Sequence, residues 1–162
     1  MVEFTLVGIP LLFVLVSIFE VARGMWIYQT LAYAMKETAR FVIVKGENCV
    51  ATGNSCGVTV QQISSVIQNR GVGLLPGQLN ITLISTGSTV TCNPLSSCSG
   101  NTTPWPTLTT PADPGSGRGR DITVTGTYPF RTALSLFWPG SRGQGSLGVF
   151  TLGASSRERI EF

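Results

Sequence analysis

From Phe4 to Phe19 the chain runs for sixteen residues without a charge. A membrane-spanning helix needs about 20 predominantly apolar residues. The run falls short of that alone but resumes past Glu20, Arg23 and Gly24 with Met25, Trp26 and Ile27. A cleaved signal peptide would open on a basic region and close on a small-residue cleavage site. Here Glu3 precedes the run and more helical pattern follows it, so the segment reads as a retained anchor. From Met25 to Val44 the pattern turns amphipathic: Met25, Tyr28, Ala32, Met35, Ala39 and Val42 recur at three- and four-residue steps. Lys36 and Arg40 form a like-charge i,i+4 pair that Glu37 offsets by reaching Arg40 at i+3. Pro10 removes one backbone hydrogen bond, a loss that neighbouring helices tolerate, and Gly46 supplies the stop. A helix of about 40 residues is roughly 60 Å long, twice the thickness of a hydrocarbon core. Its second half therefore needs protein to cover it.

After a first cysteine loop, Val60, Ile63, Val66 and Ile67 make the apolar stripe of a short helix that Gly71 terminates. Period-two patterns follow. Leu79, Ile81 and Leu83 share one face of a first strand, and Ile122 and Val124 point inward from a second that begins at Asp121. Residues 147–152 and 156–162 are the last extended segments. The fold class is α+β: a long N-terminal helix with a hydrophobic first half, a short helix and a small antiparallel sheet. The helix takes residues 1–45 and a head domain takes 46–162. Within the head, the Ser/Thr/Pro/Gly-rich stretch at about 85–119 is expected as a long exposed loop.

Composition sharpens this picture by exclusion. Charged residues make up 12% of the 162 and mean hydropathy is positive, against about 25% charge in an ordinary soluble domain. The net charge of +3 is spread over scattered Lys and Arg, not gathered into the dense basic face that nucleic-acid binding requires. Histidine is absent, which removes the commonest general base and metal ligand together. The few carboxylates outside the helix form no catalytic constellation, so no enzymatic activity and no cofactor are expected. The four cysteines fall in two close pairs without the C-x-x-C spacing of a metal or redox motif. An even count in polar, turn-rich sequence points to disulfides and an oxidising compartment. Four cysteines allow three connectivities. The expected one joins Cys49 to Cys56 and Cys92 to Cys98, each closing a short loop.

The opening Val2-Glu3-Phe4, with the apolar run through Pro10 and Leu11, resembles the start of TadE-like proteins of tight-adherence pilus systems. The segments Phe19–Arg23 and Tyr33–Phe41 are similar to further elements of that family, and the C-terminal Ser155–Phe162 looks like its closing strand. The resemblance implies a pilin-like life cycle. A basic leader is cut by a prepilin peptidase, and the helix then passes from the inner membrane into a filament or its initiating complex. The family's glutamate is the fifth mature residue. Glu3 would match it if the native N-terminus lay upstream of Met1, which is the expectation here. Lys36, Arg40 and Lys45 on the C-terminal side of the anchor would by themselves favour a cytoplasmic head; a basic leader and the cysteines argue for the opposite side.

The resemblance implies partners too: copies of the chain or related pilins through the N-terminal helix, the inner membrane before assembly, and the pilus assembly machinery. Glu3 would pair with a basic group of a neighbouring subunit and set axial register, or else mark the lipid headgroup boundary. Glu20 and Arg23 can pair at i,i+3, either as a polar contact inside a helix bundle or as an interfacial pair where the helix leaves lipid. Asn101-Thr102-Thr103 matches the N-x-[ST] pattern in the expected loop and is a candidate for glycosylation. Asn80 matches it on a strand. Trp105 and Trp138, beside prolines, are either adhesive aromatics or packing anchors. The function expected is a structural pilin or pseudopilin, with a head outside the cytoplasm and, after assembly, at the cell surface. The alternative is a membrane-anchored binding or adhesion domain that does not polymerise.

Overall fold

The computed structural model describes residues 2–44, 58–85, 88–106, 121–132 and 149–160. Helix α1 spans Val2–Val44 without a break and carries Pro10 inside it; the stop expected at Gly46 lies outside the described residues. Helix α2 spans Val60–Arg70. Its start is held by a capping box in which Thr59 Oγ1 accepts from the Gln62 N–H at 3.2 Å. The Gln62 side chain accepts in turn from the Thr59 N–H at 3.3 Å. At its end the Gly71 N–H donates to the Ile67 carbonyl at 2.7 Å. Val60, Ile63 and Ile67 are buried as their spacing predicts. Val66 is only half-buried, and Ser64 takes the other inward position, its hydroxyl satisfied by the Gln61 carbonyl at 2.8 Å.

Four antiparallel strands form one sheet in the order β2-β1-β3-β4, with β1 at Asn80–Ser85, β2 at Ser88–Cys92, β3 at Asp121–Arg131 and β4 at Val149–Arg159. The α+β expectation is met. Leu79, Ile81, Leu83, Ile122 and Val124 are buried on the face their alternation predicts. The two last extended segments prove to be parts of one strand, β4. Pro129 sits in β3 past Thr127, the last residue paired with β1. There the strand has a neighbour on one side only, so the missing N–H costs no ladder bond on the open side.

Two expectations are corrected. The stretch 85–119 is not an exposed loop through its described part. Residues 88–92 form β2, Leu95–Cys98 form a 3-10 turn, and Leu95, Cys92, Cys98 and Trp105 are buried. Thr and Val at alternate positions suffice for an edge strand, and one indole supplies what the polar composition hides. On α1 the expected stripe holds at Met35, Ala39 and Val42 but fails nearer the start of the amphipathic half. Leu31, Ala34, Met35, Thr38, Ala39 and Val42 are inward, whereas Met25 and Tyr28 are exposed. Apolar residues lie all around the helix between Met25 and Ala34, so their spacing does not phase the helix there. Contact with the sheet does. Helix α1 packs against β4, β3 and α2, and β3 comes closest at Gly126, where a Cβ would lie 2.8 Å from Met35 Sδ and 3.1 Å from Leu31 Cδ1.

Candidate functional site

Among the described residues, most side chains of the first half of α1 are exposed. Phe4 is 83% and Phe19 74% exposed, and Leu6, Ile9, Leu12, Val14, Ile18 and Val21 are exposed between them. Among the described residues this is the one helix long and apolar enough to cross a membrane, and its most apolar window is not buried inside the protein at all. An apolar surface of this length is not stable against water and calls for lipid or other helices. Polar groups within it are satisfied locally, as when Ser17 Oγ donates to the Phe13 carbonyl at 2.7 Å. Glu3 stands exposed in the first turn, where a carboxylate also complements the helix dipole.

Where the helix meets the head, a set of side chains fastens the two together. Arg23 Nη2 lies 3.5 Å from Glu20 Oε2, the pair its i,i+3 spacing predicts. The same guanidinium donates to the Arg131 carbonyl and lies 4.8 Å from the centroid of the Phe130 ring. The Phe130 ring also lies over Gly24, where a Cβ would sit in ordinary van der Waals contact with it at 3.6 Å. Sequence reasoning placed Glu20 and Arg23 in an assembly role but missed Phe130 and Arg131. No local signal marks them, because they lie more than a hundred residues from Arg23 in sequence.

The other candidate residues lie in the head. Cys92 and Cys98 form a disulfide with Cα atoms 5.7 Å apart; the expected Cys49–Cys56 pairing lies outside the described residues. Asn101, Thr102 and Thr103 sit at the N-terminus of α2. The Asn101 and Thr103 carbonyls accept from the N–H groups of Gln61 and Val60 at 2.8 and 3.0 Å. Asn101 Oδ1 accepts from the Thr103 N–H at 3.0 Å. The backbone of this segment thus satisfies two of the open N–H groups of a helix start. Trp105 packs in the core, the second of the two roles open to it, and Trp138 lies outside the described residues. A groove of about 510 Å³ between the ends of α1 and α2 is lined by Glu37, Arg40, Phe41, Val44, Val66, Asn69 and Arg70. Its Arg40–Glu37 pair at 3.5 Å is the one foreseen from spacing. Among the described residues no group of His, Cys, Asp and Glu is placed to hold a metal ion.

An exposed apolar helix that continues into the core helix of a small antiparallel sheet defines the class: an α+β protein whose N-terminal helix is long and apolar enough to span a membrane. Within that class, residues 1–40 match the family model described as TadE-like protein, so the chain is similar to that family over most of α1. No curated protein and no solved structure matches the chain.

Proposed function

We propose that the chain is a structural pilin or pseudopilin of a tight-adherence pilus. In this reading it is held in the inner membrane by the first half of α1, with its head outside the cytoplasm, before that helix enters a filament or its initiating complex. The observation that carries the reading is the uncovered apolar surface from Phe4 to Val21, which lies within the part of the chain similar to TadE-like proteins. The same surface serves both states, against lipid first and against neighbouring helices afterwards. Glu3 at its tip is the group that neutralises a positive charge on an adjacent subunit, since an unpaired charge in an apolar bundle costs several kcal/mol.

The test is incorporation. Glu3→Ala and Glu3→Gln are both expected to leave the head folded and disulfide-bonded in the membrane while lowering the amount of subunit in sheared surface filaments or in the isolated initiation complex. Incorporation of both variants at the level of the unaltered protein would reduce Glu3 to a marker of the lipid boundary. A chain that stays in the membrane under every condition would favour an anchored domain that does not polymerise.

A further inference from the structure

We infer that the end of the head from which α1 emerges rests in the headgroup layer of a phospholipid bilayer, with Trp26, Val72, Leu75, Val149 and Phe150 as its apolar contacts. This rests on the reading of α1 as a membrane anchor. Three segments far apart in sequence bring exposed apolar side chains to that end. Trp26 is 63% exposed on the helix itself. The turn after α2 carries Val72 and Leu75, 66% and 57% exposed, and a Cβ on Gly73 between them would lie 4.0 Å from the Trp26 indole nitrogen. The start of β4 carries Val149 and Phe150, both exposed. They pair with Arg131 and Phe130, the two residues that Arg23 holds against the helix exit.

The opposite end of the sheet differs in kind. There Asp121 and Arg157 form an ion pair and Arg159 is exposed, and on the sheet Ile84 alone among the large apolar side chains of the described residues is exposed at that end, at 43%, so apolar exposure is concentrated at the end where α1 emerges. Helix length sets the level. From Phe4 to Arg23 is about 30 Å at roughly 1.5 Å per residue, the thickness of the hydrocarbon core. With Glu3 at one boundary, Arg23 and Gly24 fall at the other, and the end of the head falls with them. Tryptophan favours that boundary, where the ring is in acyl chain and the N–H in water. Arg131, exposed at the same end, is placed to meet lipid phosphate.

Depth-dependent fluorescence quenching tests this on the full chain, reconstituted in phosphatidylcholine vesicles containing phosphatidylglycerol. In a Trp26→Phe background, Leu75→Trp places a reporter in the proposed contact and Ile84→Trp places one at the far end of the sheet, each read as the difference from the Trp26→Phe chain, which keeps Trp105 and Trp138. Lipids brominated near the top of the acyl chain are expected to quench the Leu75→Trp reporter about twofold, as for an interfacial indole, and to leave the Ile84→Trp reporter unchanged. Equal response of the two overturns the inference. Shielding of the Leu75→Trp reporter from aqueous iodide without quenching by bromolipid also overturns it and assigns the surface to contact between heads. Trp26, read as the difference between the unaltered chain and the Trp26→Phe chain, separates the two levels. If Trp26 is quenched and the Leu75→Trp reporter is not, the anchor stands and the docking of the head falls. If Trp26 is not quenched, the anchor reading itself falls.

Discussion

Gly126 shows how a single position decides the distance between helix and sheet. It occupies an inward site of β3, where the alternation of Ile122, Val124, Tyr128 and Phe130 would otherwise put a large side chain. Met35 and Leu31 fill that space from α1, so the glycine gives up strand propensity in exchange for close approach. Gly126→Val is expected to destabilise the head by about 1–3 kcal/mol, since the branched side chain cannot be met by a shift of Met35 alone. Chemical denaturation checks this, and Thr123→Val on the outer face serves as the control, expected to stay within about 0.5 kcal/mol. Trp105 is the complementary case. Its place between Pro104 and Pro106 in polar sequence did not distinguish an exposed ring from a buried one, and only the closing of the segment over the core decides it.

Individual elements were legible in the sequence to the degree that their patterns were one-sided. Helix α2, with its apolar stripe, and strands β1 and β3, with strict alternation, could be read directly because each has one wet face and one dry face. Strand β2 could not. Its five residues are mostly small and polar, and what makes them a strand is the pairing of Thr91 with Thr82 and of Val90 with Leu83. Nor did sequence phase the middle of α1, where every face is apolar. The assembly role of Glu3 rests on resemblance, whereas the fastening of Arg23 to Phe130 and Arg131 emerges only when residues more than a hundred apart are brought together. The Cys92–Cys98 bridge ties the end of β2 to the 3-10 turn that packs on α2. Replacing both cysteines by alanine is expected to cost on the order of 2 kcal/mol for so short a loop. The loss is expected to appear as faster amide exchange in β2, with β3 and β4 still protected. Uniform loss of protection across the sheet would show that the bridge supports the whole head.

For the whole molecule, α1 belongs to two environments along one continuous helix. The core residues it supplies begin at Leu31, with Ile27 partly buried before them, so the head does not draw its stability from the first half. Removing residues 1–22, which keeps Arg23, is expected to abolish partition into detergent micelles while moving the thermal midpoint of the head by less than about 5 °C. A head that fails to fold without those residues would contradict the division. The order of the sheet carries a consequence of another kind, one of timing. The inward face of α1 is closed from the sheet by β3 and β4, whose pairing joins residues 121–131 to 149–159. A chain leaving the ribosome or a translocation channel exposes Leu31 and Met35 long before the strands that cover them exist. Closure of the head therefore waits on a long-range pairing, and until that pairing forms the helix face is open to misassociation.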